Sequence, residues 1–339
     1  MATKKMEYKS ETEQIKVEVL DKTTEKVSMK LIGLSKEKHA ILLGITHNFP
    51  VLLIGETGVG KTYTLQHVAQ EEKKRIIRMS LNGEIGINEI LGKWLIRAGS
   101  TYWQDGVLVE AMRNGWWIIL DEINAALPEV LFVLNPLMDD SRSIILAEKD
   151  GEMVNAHPDF RIFARMNPCD EYAGTKEMNK ALLSRFPIVL NYRNYDSDTE
   201  FEIVKYQSGI EDTIARVMVD VANAIRQKKK DKEIYHTVST RDVVNWAKVF
   251  GSNGNSIAEA FEFAILNKAP SEDRELIVKA AVGASAVKID WKWEKENFRK
   301  LTADIQVEIT ALQEKKKRLS MAVAKVEAEF KDLKTEVEK

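Results

Sequence analysis

Cysteine is nearly absent from this sequence: Cys169 is the only one in 339 residues. That excludes an intrachain disulfide and a cysteine-based zinc cluster, and it fits a reducing compartment. Cys169 itself reads as a loop residue rather than a nucleophile. Charge of one sign is also lacking. The net charge is −2, so nothing global asks for nucleic acid or an anionic membrane. No apolar run approaches the length of a membrane span. No apolar signal-peptide core follows Met1-Ala-Thr-Lys-Lys. The expectation is a cytoplasmic protein, in the host cytoplasm if the chain is viral. Glycine and proline both vanish after Gly283, which leaves the last stretch nothing to interrupt a helix.

What is present is a sizeable apolar fraction, 44%, enough for a core in a chain long enough for two or three domains. One stretch organises the rest. Val51-Leu-Leu-Ile is an apolar run. Gly55, Glu56, Thr57, Gly58, Val59, Gly60, Lys61 and Thr62 follow as G-x-x-x-x-G-K-T, and a helical segment runs from Tyr63 to Glu72. Glycines let the backbone curl so that its N–H groups point at a phosphate chain. The helix that follows adds its positive end. Lys61 then reaches the β- and γ-phosphates, and the Thr62 hydroxyl ligates Mg²⁺. ATP and Mg²⁺ are the expected cofactors. A lone glycine-rich turn would carry little; the full pattern between strand and helix carries much more.

Trp116-Trp-Ile-Ile-Leu-Asp-Glu122 reads as a central strand ending in two carboxylates, where open α/β sheets keep their chemistry. Asp121 is suited to hold Mg²⁺ through its water shell. Glu122 is suited to orient and deprotonate a water. Further strands are expected at 75–81, 159–167 and 187–190. A helix from Ser35 runs through Ile45, and others cover 84–91, 106–114 and 127–138. Residues 92–106 read as a loop or hairpin, and 143–155 as a hairpin about Asp150-Gly151. Upstream, Ile15-Val17-Val19 and Val27-Met29-Leu31 alternate and suggest a small β-hairpin. Beyond Asp196 only helices are expected, at 198–206, 210–228, 240–250 and 257–266. The lysines at 228–232 read as a solvated helix end, with nucleic-acid contact the alternative. Trp291, Phe298, Ile305, Leu312, Leu319, Val326 and Leu333 recur every seventh residue, which argues for one long helix packed in a coiled coil, against another chain or folded back on its own.

The expected organisation is therefore an N-terminal extension (1–34), an α/β nucleotide-binding domain built on a parallel five-stranded sheet (35–195), a helical lid (196–285) and a coiled-coil helix (286–339).

Taken in order, GETGVGKT (55–62), WWIILDEINAA (116–126), FRIFARMNP (160–168), KALLSRF (180–186) and STRDVVNW (239–246) resemble the AAA+ ATPases of the MoxR branch. The nearest likeness is to the CbbQ and cobaltochelatase-ATPase type, with dynein and midasin modules further off. The resemblance spans about residues 35–285. It implies that Asn167 is the polar sensor that positions the lytic water, and that Arg185 is an arginine finger reaching into a neighbouring subunit. It implies that Arg241 is a second sensor on the lid. It also implies that the segment 81–106 and the hairpin about Asp150 can face a ring pore. A self-assembled ring of six and a von Willebrand A-domain partner protein are further implications. The chain departs from the pattern at Arg165, where the family usually has a small residue or threonine. Pairing with an acidic residue and contact with a neighbouring subunit are the two alternatives there. The rival readings are a nucleic-acid motor or loader on the same fold, supported only by lysine runs at 228–232 and 315–318, and a nucleotide-stabilised coiled-coil scaffold.

Overall fold

The computed structural model describes residues 17–19, 30–81, 85–168, 178–252 and 256–284, with the single positions 313 and 316. In chain order the first elements are β1 (Val17–Val19), α1 (Ser35–His47), β2 (Val51–Ile54), α2 (Lys61–Glu71), β3 (Ile76–Ser80), α3 (Ile87–Leu91), β4 (Gly92–Arg97) and β5 (Ser100–Asp105). Then come α4 (Val107–Asn114), β6 (Trp117–Asp121), α5 (Pro128–Met138), β7 (Ser143–Leu146), β8 (Glu152–Asn155), β9 (Arg161–Met166), α6 (Lys180–Leu183) and β10 (Ile188–Asn191). Helices α7 (Ser197–Ser208), α8 (Asp212–Lys230), α9 (Thr240–Gly251), α10 (Ile257–Ala264) and α11 (Ser271–Ala284) complete the described chain.

The main sheet has the order β1-β3-β6-β9-β2-β10. Its five strands from β3 to β10 are parallel. Side chains alternate between its faces because strand residues have a period of two. Leu52, Ile77, Ile118, Leu120 and Ala164 face a core completed by α4 and α5. Val51, Leu53, Ile76, Trp117, Ile119 and Phe163 face a second core completed by α1 and α2. All five residues of β6 are buried, as a centrally placed parallel strand requires. Each connection between the parallel strands contains at least one helix, as parallel pairing demands. Helices α7 to α11 pack on one another about Trp246, Phe261, Met218 and Ile277.

The strand expected near residues 15–19 exists as β1, but its described partner is β3: Val17 pairs with Met79 and Val19 with Ile77, antiparallel. An open edge of β3 would leave a row of unpaired N–H and C=O groups, and β1 covers it. Lys30 and Leu31 lie in no strand, and residues 20–29 fall outside the described set. The rest of the expected hairpin therefore lies outside the described residues, and the described part is an edge strand on β3. Residues 92–105 form the hairpin β4–β5 and residues 143–155 the hairpin β7–β8. Trp94 Nε1 donates to Glu148 O at 2.8 Å and joins the two. Helix α11 was not among the expected elements. Its buried face is Asp273, Ile277, Ala280 and Ala281, and an aspartate with two alanines makes a weak periodic signal. Of the expected coiled-coil helix only Gln313 and Lys316 are described, both helical and exposed; the rest, like Cys169, lies outside the described residues. Among those residues no helix is long and apolar enough to cross a membrane.

Candidate active site

At the carboxyl end of β2 the chain turns through Gly55, Gly58 and Gly60, with φ of 156°, 91° and 94°. A side chain is strained in that region, which is why glycine recurs. Tyr192 presses on Gly55, where a Cβ would come within 2.7 Å of the tyrosine's carbonyl oxygen. Tyr195 Oη donates to Val59 O at 3.0 Å. The loop is thus held from behind by the chain leaving β10. Helix α2 then starts at Lys61, and among the described residues no side chain caps its N-terminus. Its first N–H groups face the loop and suit an anion.

A cavity of about 620 Å³ opens over this loop, lined by Lys61, Thr62, Asp121, Glu122, Asn167 and Arg241 among others. That is the size of an ordinary small-molecule site. Lys61 is buried. Its Nζ donates to Gly55 O, to Glu56 O at 2.7 Å and to Asn167 Oδ1 at 3.3 Å. Burial first, and then the charge of Arg165, hold the Lys61 ammonium down to about 7. Glu122 is exposed at the end of β6 with φ of 57°, and Ser80 Oγ donates to its Oε2 at 3.3 Å. The left-handed backbone there turns the chain sharply and leaves the carboxylate in the cavity.

Asp121 is buried, and both its oxygens are engaged. Arg78 Nε donates to Oδ2 at 2.7 Å, and Arg165 Nη2 lies 3.2 Å from Oδ1. Arg165 Nη1 also donates to Thr62 Oγ1. Of the two alternatives for Arg165, pairing with an acidic residue is therefore the observed one. The sheet register explains the meeting. Ser80 aligns with Asp121, Leu120 with Ala164 and Leu53 with Arg165, so Arg78, Asp121 and Arg165 share the face that carries α2. Because Thr62 Oγ1 and Asp121 Oδ1 bond to one guanidinium, they converge on a single cationic point. A hydroxyl and a carboxylate are hard oxygen donors, which fits Mg²⁺.

The lid reaches this cavity through the start of α9. Ser239 caps that helix in a capping box with Asp242. A Cβ on Gly58 would come within 2.8 Å of Ser239 Cβ and 3.1 Å of Arg241 Cβ, so the α9 N-terminus sits directly on the loop. Arg241 thereby joins the cavity from a helix 180 residues downstream of Lys61. Arg185 does not join it. Its guanidinium binds Asp139 Oδ1 at 2.9 Å and Ala181 O at 2.8 Å, away from the cavity lining.

Comparison with known proteins settles the family. The AAA domain (dynein-related subfamily) matches residues 50–186, and the CbbQ/NirQ/NorQ C-terminal domain matches residues 200–282. The denitrification regulatory protein NirQ of Pseudomonas aeruginosa is 31% identical over 219 residues, which cover 65% of this chain and 82% of NirQ. The chain belongs to the MoxR-type AAA+ ATPases. The aerobic cobaltochelatase subunit CobS of Sinorhizobium sp is 29% identical over 259 residues, 71% of this chain and 76% of CobS. Midasin of Dictyostelium discoideum is 28% identical over 244 residues; the match covers 70% of this chain and 4% of midasin. This AAA+ protein is accordingly an ATP-hydrolysing enzyme.

Two of the ATPase's cavity residues escaped the sequence reading as site residues. Arg78 and Arg165 each carry a charge at an inward position of an otherwise apolar strand, which is the signal that could have found Arg78. Their common partner Asp121 emerges only when the strand order is known.

Proposed function

We propose that this ATPase hydrolyses ATP at the cavity over Gly55–Thr62 and does so only as a ring, turning nucleotide state into movement of a partner protein. The observation that carries the reading is the convergence of Lys61, Asp121, Glu122, Asn167 and Arg241 on one cavity. Backbone N–H groups of the loop and the α2 N-terminus hold the phosphates, with Lys61 leaving Gly55 O and Glu56 O for phosphate oxygens. Thr62 and Asp121 would hold Mg²⁺, which when bound neutralises charge on the transferred phosphoryl group. Glu122 takes a proton from the attacking water, and Asn167 orients that water from the end of β9. Arg241 reports nucleotide to the lid.

Arg185 completes hydrolysis in the neighbouring subunit. A guanidinium beside the breaking bond stabilises the transition state more than the ground state. A residue offered to the next copy makes a head-to-tail contact, the kind that closes rings. Resemblance to the family points to six subunits. It points equally to a partner bearing a von Willebrand A domain. The β4–β5 and β7–β8 hairpins expose Ile96, Ile145 and Met153 and are tied together by Arg113, which bonds Asp105 and Glu152. In this reading they are the surface that engages the moved protein.

The test is the ATPase rate per subunit against protein concentration, with mass photometry on the same samples. Specific activity should rise as rings form. Arg185→Ala should assemble and lose about 10³-fold or more in turnover. Glu122→Gln should bind ATP and lose roughly 10²–10⁴-fold. A flat specific activity with an unimpaired Arg185→Ala protein would refute the finger.

A further inference from the structure

Arg165 is where this site departs most from a simple phosphate loop with a metal. Its guanidinium spans Thr62 Oγ1 and Asp121 Oδ1, the two groups proposed above to hold Mg²⁺. The other Asp121 oxygen is taken by Arg78. Asp121 is therefore a buried carboxylate shared by two guanidinium groups. Arg241 and Lys61 add to the positive charge of the same cavity, and the carboxylates of Asp121, Glu122 and Glu56 only partly offset it.

We infer that Arg165 is an intrinsic cation of the nucleotide site: it competes with Mg²⁺ for Thr62 and Asp121, and it lets the protein hold ATP without a divalent ion. This rests on the nucleotide reading of the cavity given above.

Three observations converge on it. Arg165 projects from β9, whose pairing with β2 and β6 fixes its root beside both the loop and Asp121. A planar guanidinium matches phosphate oxygens as well as it matches a carboxylate, so the side chain can exchange one for the other with a small rotation. Its Nε is buried and, among the described residues, has no hydrogen-bond partner. A buried donor left so is costly, and an anionic oxygen would satisfy it. The same charge works against a divalent ion. Mg²⁺ must take Thr62 and Asp121 from a group that already bonds both, next to other positive charges. Arg165 is thus a competitor of the metal and a binding residue for the phosphates.

The test uses the full chain, wild type beside Arg165→Thr and Arg165→Lys. ATP affinity is measured by calorimetry in EDTA and across a Mg²⁺ titration, and the Mg²⁺ concentration for half-maximal ATPase is read on the same proteins. Wild type is expected to bind ATP in EDTA. Arg165→Thr should lose about tenfold or more of that metal-free affinity, the worth of one charge-assisted bond. Its half-saturating Mg²⁺ should fall. Arg165→Lys, with the charge but not the fork, should lie between. Thermal melts separate an unfolded variant from a folded one, and Arg165→Lys keeps the test open if the threonine protein does not fold. Unchanged metal-free affinity and unchanged Mg²⁺ dependence in either folded variant would overturn the inference. So would a wild type that binds ATP with Mg²⁺ and not in EDTA, while leaving the nucleotide reading intact. A wild type that binds no nucleotide under either condition would overturn both.

Discussion

Gly58 has φ of 91°, and a Cβ there would lie 2.7 Å from Ser239 Oγ. Two costs therefore meet in one substitution. The left-handed backbone disfavours any side chain by about 1–2 kcal/mol, and the added methyl pushes the start of α9 off the loop. Gly58→Ala should weaken ATP binding by roughly tenfold or more, measured by calorimetry, with little change in the melting of the sheet. Wild-type affinity in that protein would mean that the lid leaves the loop without cost. The residues of this loop were legible in the sequence because they are contiguous: Lys61 and Thr62 follow the glycines that shape the turn. Arg78 was not legible, because its partner Asp121 is 43 positions away and nothing local to either residue names the other.

At the scale of the element, α9 carries its own positioning device. Ser239 Oγ caps Asp242 N, and the Asp242 carboxylate returns a bond from Ser239 N at 3.0 Å. Lys268 reaches the same carboxylate at 2.5 Å. Burial alone would raise the Asp242 carboxyl, but hydrogen bonds from Lys268 and Ser239 bring it below its ordinary value. A carboxylate with a lowered folded pKa stabilises above the unfolded value of about 3.9, and that contribution is lost as pH falls through the folded one. The helical lid should therefore lose stability in acid below about pH 4, and Asp242→Asn should flatten that dependence in pH-dependent melts. Ser239→Ala should cost about 1 kcal/mol and weaken ATP binding, since Arg241 stands two residues after the cap. Helix α9 was readable from its periodicity over 240–250; its cap was established by the structure. Helix α11 was not readable, because its buried stripe holds only one large apolar residue, Ile277, beside two alanines and Asp273, and its place is set by packing on α8.

At the scale of the molecule, the lid is pinned by one buried ion pair. Glu200 is fully buried, and Arg226 bonds both its oxygens at 2.6 and 2.7 Å. Arg226 Nε also donates to Val238 O at 2.7 Å, just ahead of the α9 cap. Removing one partner leaves the other charge buried and alone. Arg226→Ala should thus destabilise the lid by about 3–5 kcal/mol, read by calorimetry or denaturant unfolding. The double substitution Glu200→Leu with Arg226→Met should recover most of that loss, because no buried charge is then stranded. If the single and double variants melt alike, the pair's geometry rather than its charge is what matters. The strand–helix alternation up to β10 and helices α7 to α10 after it were visible from periodicity, since it depends only on neighbours in sequence. For the edge strand β1 the pairing with β3 was not visible. Alternation identifies a strand but does not name its partner, and β3 lies some sixty residues away.

What the sequence determined by itself is local chemistry. A glycine-rich turn between an apolar strand and a helix makes an anion site wherever it occurs, and two carboxylates after five apolar residues end a buried strand. What only the tertiary structure decided is which charges share the site. Inserting β9 between β6 and β2 sets Arg165 beside both Thr62 and Asp121. Docking α9 on Gly58 brings in Arg241 from the lid. Those meetings depend on strand order and helix packing, which are set by burial over the whole chain and are not written at either residue.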